Sequence, residues 1–127
     1  MEQTIDRLPD AELLVMQAVW EENAPCTRLQ LEERLAGQGW AKTTLLSLLS
    51  RLESRGFIAR EKQGKGFLYR AVIPKEDYLS QESGGILQRV FDGSVKQFVA
   101  ALWAGDALSK QDISELEDYL HQLQKGE

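Results

Sequence analysis

Within residues 43–56, TTLLSLLSRLESRG, four hydroxyl residues recur at helical intervals: Thr43, Ser47, Ser50 and Ser54, at i, i+4, i+7 and i+11. At about 100° per residue this spacing lays them along one side of a helix, with Leu45, Leu48, Leu49 and Leu52 on the opposite arc as a core face. A face turned only to solvent more usually carries Glu, Lys and Gln, because hydroxyl side chains have lower helix propensity. Short hydroxyls suit a surface that something must approach closely. In a DNA major groove they can donate to or accept from base edges and phosphates. Lys42 precedes the stripe at the helix end that would enter the groove, and Arg51 flanks it on one side.

Leu46 flanks it on the other side, outside the apolar arc. Three readings are open for it: packing beneath the preceding helix, contact with a thymine C5-methyl group, or no role at all. Downstream, Lys62, Lys65 and Arg70, with Arg60 nearby, surround a glycine-rich QGKG turn. Basic residues at a loop tip suit phosphate contacts, which add affinity and salt dependence but little sequence information. Thr27 and Arg28 open another helix whose N-terminal N–H groups could hold a phosphate. Cys26 lies beside that terminus, where a thiol pKa can fall far enough for redox sensing. With no second cysteine to resolve an oxidised thiol, a structural role is the favoured reading.

Other chemistries lack their residues. One cysteine and one histidine, Cys26 and His121, lie far apart in the chain, so no Cys/His set has zinc or copper spacing and no internal disulfide can form. His121 falls on a polar helix face without a nucleophile or a carboxylate pair, and QGKG leads into no Ser/Thr-bearing helix as a phosphate-binding loop would. No catalytic residue and no cofactor is expected. The 127 residues are 43% hydrophobic and 28% charged, as in soluble globular domains, and no apolar run approaches the ~20 residues of a membrane span. The opening MEQTIDRLPD is acidic and polar, unlike a signal or transit peptide, which makes the cytoplasm the expected location.

The elements that would position these residues follow in order. LPDAELLVMQAVWEEN has Pro9 near a helix start, acids in its first turn, and Ala11, Leu14, Val15, Ala18 and Val19 at helical spacing. A second helix starts at Thr27, whose distance to Gln30 fits a capping box, and runs through Leu31 and Leu35 to the glycines of AGQGW. The third, from about Ala41 to Arg55, stops at Gly56. FIAREKQGKGFLYRAVIP then reads as a two-stranded hairpin closed by Pro74. Three helices and a basic hairpin are the element order of a winged helix-turn-helix, here residues 1–74.

Residues 75–127 read as wholly helical. Ile86, Leu87, Val90 and Phe91 mark one helix, Val95, Phe98, Val99, Leu102 and Trp103 a second, and Ile113, Leu116, Tyr119, Leu120 and Leu123 a third. Three short helices make a marginal core alone, so this segment is expected to be a helical dimerisation region, with packing onto the N-terminal domain as the alternative.

Charge divides the same way. The net −5 splits into 3 Lys/Arg against 8 Asp/Glu over residues 1–41, 7 against 2 over residues 42–70, and 5 against 10 over residues 71–127. Only neighbours within a Debye length of about 10 Å shape the field at a surface, so the basic central segment can attract a polyanion despite the acidic total. Two functions remain in play: a dimeric DNA-binding repressor, and a winged-helix module that binds only proteins.

The sequence also resembles the penicillinase-repressor (BlaI/MecI/CopY) family of bacterial transcription factors. LPDAELLVMQAVWEE is similar to the family's first helix, WAKTTLLSLLSRLESRGFI to its recognition helix, GKGFLYRAVIPKEDY to its wing and exit, and FDGSVKQFVAAL with ISELEDYL to its dimerisation helices. The resemblance implies a homodimer that occupies a palindromic double-stranded operator with TACA/TGTA-type half-sites. Lys42, Thr43, Thr44, Ser47 and Arg51 fall on recognition-helix positions, and Leu46 falls where relatives carry a polar residue. In resistance members a membrane-bound sensor protease leads to cleavage at an Asn-Phe pair, and Leu102-Trp103 stands in that place here. The Cys-x-Cys pairs of the copper-responsive branch are absent.

Overall fold

Pro9 sits at the N-cap of the first helix in the computed structural model, which describes residues 5–126. Helix α1 spans Asp10–Glu22, with Asp10 and Glu12 in the first turn where the helix dipole favours negative charge. It ends at Asn23, whose left-handed φ of 54° lets its N–H donate to the Trp20 carbonyl. Helix α2, Arg28–Arg34, is too short to persist alone, and the expected capping box holds it. The Gln30 N–H donates to Thr27 Oγ1, and the Thr27 N–H donates to Gln30 Oε1 at 2.8 Å. A single 3-10 turn over Ala36–Gln38 follows.

Helix α3, Lys42–Ser54, presents the leucine arc to the interior: Leu45, Leu48, Leu49 and Leu52 are all buried. Its end is a Schellman motif, in which Gly56 at φ 82° lets the Phe57 N–H reach the Leu52 carbonyl and its own N–H reach Glu53. Phe57 and Leu52, both buried, supply the apolar contact that accompanies such a cap. Strands β1 (Ile58–Gln63) and β2 (Gly66–Ala71) form the expected antiparallel hairpin, with Gln63 opposite Gly66 and Gly64-Lys65 as its two-residue loop. Gly64 takes φ 59°, the left-handed first loop position of a hairpin turn.

Helix α1 packs on α3 and β2, and α2 packs on α1 and β2. Among the described residues one charged side chain is buried in this core: Glu12 accepts a 2.9 Å hydrogen bond from the Arg55 guanidinium at the α3 C-cap. Burying a carboxylate is costly without such a partner, so the pair fixes how the end of α3 lies on α1.

Cys26 makes a two-way main-chain bridge to β2: its N–H donates to the Tyr69 carbonyl and the Tyr69 N–H donates to its own, both at 2.8 Å. Its side chain is fully buried, which, with help from the Glu22 carboxylate and against Arg34, pushes the thiol pKa up to about 11. This agrees with the structural reading of Cys26, because burial drives the thiol away from the reactive thiolate.

Helix α4 spans Lys75–Phe91, and the chain divides into two compact units within it, after Glu82. The sequence reading puts the boundary before Lys75. The start of α4 belongs to the N-terminal unit because Tyr78 is buried there, its ring against Trp20 and Phe57 and its hydroxyl accepting from the Leu8 N–H at 3.0 Å. The second unit continues through α5 (Val95–Ala104) and α6 (Lys110–Lys125), the latter opened by a Ser109/Asp112 capping box. Main-chain and hydroxyl donors of Ser109 hold the Asp112 carboxyl below the usual carboxylate range. Phe91 and Phe98 lie 5.0 Å apart between ring centroids. Among the described residues from Ser83 onward none is buried, and Val90, Tyr119, Leu120 and Leu123 are about half exposed or more.

Arg55→Ala should lower unfolding free energy in urea by about 2 kcal/mol, less than the roughly 3–5 kcal/mol for breaking a fully buried pair because the arginine is itself partly exposed. Glu12→Gln, which keeps the shape and an acceptor, should cost less. Equal losses would mean that leaving the Glu12 carboxylate buried without its partner adds no penalty. Iodoacetamide at pH 8 should label Cys26 in the native protein at least about tenfold more slowly than in urea, because the smaller thiolate fraction is only partly offset by the greater nucleophilicity of a higher-pKa thiolate, and burial adds to the protection. Labelling at the unfolded rate would contradict the placement of this thiol.

Candidate nucleic-acid interface

The α3 face opposite the leucine arc is exposed along its length, at Thr43, Thr44, Ser47, Ser50, Arg51 and Ser54. The Schellman end and the Glu12–Arg55 pair hold its C-terminal end. Its N-terminal end meets α2 and the hairpin in a groove of about 430 Å³, lined by Arg28 and Leu29 from α2, Lys42 and Leu46 from α3, and Lys65 and Phe67 from the hairpin. The Cys26–Tyr69 bridge positions this arrangement, because it joins the segment that starts α2 directly to the wing strand.

The cations of this region divide by their partners. Arg55 is held by Glu12, and Arg60 is held by Glu53 at 3.2 Å with its guanidinium over the Phe67 ring, 4.4 Å from the centroid. Arg28 is paired with Glu32 one turn along α2, and Arg34 with Glu22, which raises its already high pKa. Among the described residues no ion pair engages Lys42, Arg51, Lys62, Lys65 or Arg70. Charge available to a polyanion therefore resides in those five.

Of the residues singled out from sequence, Arg28, Lys42, Leu46 and Lys65 come together at the groove. Thr43, Ser47, Ser50 and Arg51 continue along α3, and Lys62 lies on β1 opposite Phe67. Arg70 lines a different hollow, with Trp20, Pro25 and Glu76. Leu46 is 37% exposed and shares the groove wall, so it is not packed away beneath α2. Sequence reasoning missed Leu29, which is 62% exposed. The signal was available, since Leu29 falls between the polar positions of α2 and off the line through Leu31 and Leu35. Among the described residues there is no group of His, Cys, Asp or Glu able to hold a metal ion, and no helix long and apolar enough to cross a membrane.

Comparison with known proteins agrees with this architecture. Residues 8–122 match the family model of the penicillinase repressor. A penicillinase repressor of Bacillus licheniformis is 30% identical over 118 residues, covering 93% of this chain and 92% of its own. The methicillin resistance regulatory protein MecI of Mammaliicoccus sciuri is 27% identical over 114 residues, covering 90% and 93%. Among solved structures, the monomeric form of BlaI from Bacillus licheniformis in complex with the blaP half-operator is 28% identical with a TM-score of 0.51, covering 61% of this chain and 94% of that one. Reduced MarR from E. coli, at 18% identity and a TM-score of 0.51 over 91% of this chain and 77% of its own, shares the fold. A match over nearly the whole sequence, on a winged-helix framework with an exposed third helix, means that this chain belongs to the penicillinase repressor family.

Proposed function

We propose that this protein is a cytoplasmic transcriptional repressor that binds double-stranded operator DNA as a homodimer, with α3 in the major groove and the wing on flanking phosphates. The observation that carries the reading is the set of cations without acidic partners on α3 and the hairpin, in a chain whose total charge is negative. Lys42 and Arg51 bracket the hydroxyl stripe, where they can hold phosphates on either side of the groove while Thr43, Ser47 and Ser50 reach base edges. Lys62 and Lys65 serve as phosphate contacts from the hairpin. Repression is steric: a protein seated on the operator excludes the transcription machinery.

The second protomer is supported by the helices beyond Ser83. Their apolar side chains are too exposed for a finished surface; pairing Val90, Leu116, Tyr119 and Leu120, together with the partly buried Ile86, Leu87, Phe98 and Leu102, across a two-fold axis would remove that area from water. Two linked reading heads bind a palindrome far more tightly than one, so any event that separates the protomers releases DNA. A membrane-bound sensor protease fits as the regulator of such an event. Its cut would fall at Leu102-Trp103, inside α5, and would require that helix to open first, because proteases take extended backbone.

Affinity for a duplex selected from a random pool should fall steeply with salt, and Arg51→Ala or Lys65→Ala should each flatten the log–log slope by about one per protomer. A flat salt dependence would defeat the assignment. In sedimentation the protein should run at twice its 14.4 kDa mass, and Tyr119→Glu with Leu120→Glu should shift it to the monomer with weakened operator binding. A monomeric wild type that still binds a full palindrome tightly would remove the dimer from the mechanism.

A further inference from the structure

Three large apolar side chains stand on the face that the reading above turns toward DNA. Leu29 is 62% exposed, and Leu46 and Phe67 are each 37% exposed. They come from three different elements, α2, α3 and β2, yet line one groove, and Lys42 and Lys65, cations without an acidic partner among the described residues, line it with them. Phe67 has one ring face covered by Arg60. Leu29 and Leu46 are left as the apolar surface next to the end of α3 that would enter the major groove. Exposed leucine costs solvation free energy in the free protein, and that cost is recovered only if binding covers it.

The surrounding charge selects what can cover it. A cationic rim favours a polyanion, and the only apolar group that a DNA major groove offers is the C5-methyl of thymine. Guanine, cytosine and adenine present hydrogen-bonding atoms there, which a leucine would strip of water without replacing the lost bond. We propose that Leu29 and Leu46 form a methyl-reading pair that sets operator preference, requiring a thymine at the base step facing the α2–α3 groove. The inference rests on the DNA-binding reading and narrows it. The hydroxyl stripe and the cations hold the duplex, while this pair discriminates against half-sites with no methyl at that step.

A selection experiment tests the pair without a known operator sequence. Full-length protein selects its preferred duplexes from a random pool, and each dT in the selected half-site is replaced singly by deoxyuridine, which removes the methyl and leaves every hydrogen-bonding atom in place. One or two positions should weaken wild-type binding by about fivefold, the contribution of one buried methyl. Leu46→Gln and Leu29→Gln, both at exposed positions, should bind dT and dU duplexes equally at the step each one faces. Deoxyuridine tolerated at every position by the wild type overturns the methyl-reading pair and leaves DNA binding intact. Discrimination that persists unchanged in both leucine variants also overturns it, and is the outcome expected if the groove takes an acidic protein segment instead. Failure to retain any duplex at low salt would overturn the DNA-binding reading itself, and this proposal with it.

Discussion

Leu45, Leu48, Leu49 and Leu52 bury one arc of α3, and that burial sets the rotation of the helix about its own axis. A half-turn would move the polar stripe into the core and the leucines into water, at a cost of about 1.5–3 kcal/mol for each leucine exposed. The two ends are fixed by different means. At the C-terminal end the Schellman motif and the Glu12–Arg55 pair tie the helix to α1, and at the N-terminal end α2 and the wing close around it. A helix held in rotation and at both ends offers its outer side chains already in place, so a ligand need not supply the free energy to order them.

Electrostatics follow from the same geometry. Sequence shows a basic middle and acidic flanks, but not which of the basic residues are occupied. In the folded chain Arg55 and Arg60 serve the architecture, one paired with the buried Glu12 and the other bridging Glu53 and the Phe67 ring. Arg28 is neutralised within its own helix by Glu32. What remains is carried mainly by lysines and by Arg51, long side chains that keep their heads in water and can adjust to a phosphate backbone.

Features written locally were legible in the sequence. The Thr27–Gln30 capping box, the Gly56 stop, the hairpin about Gly64-Lys65 and the two faces of α3 all stand where spacing puts them, because each is decided by residues within a turn or two of one another. Features decided across the fold were not. Glu12 reads as a first-turn acid and is in fact buried by an arginine far along the chain, and Tyr78 draws the start of α4 into the N-terminal unit. Arg70 looks like part of a basic wing but faces another hollow, because alternate residues of a strand point to opposite sides. Leu29 lies off the line through Leu31 and Leu35, but that it shares a groove wall with Leu46 is decided by how α2 meets α3.

The bridge between Cys26 and Tyr69 is made by main-chain atoms alone. It asks nothing of the side chain at position 26 except that it be small and apolar enough for a closed space. Alanine or valine could inherit the place without disturbing the link from α2 to the wing. The cysteine is therefore a packing choice rather than a chemical one, and what links α2 to the wing at this position is the backbone, whichever small apolar side chain fills the space beside it.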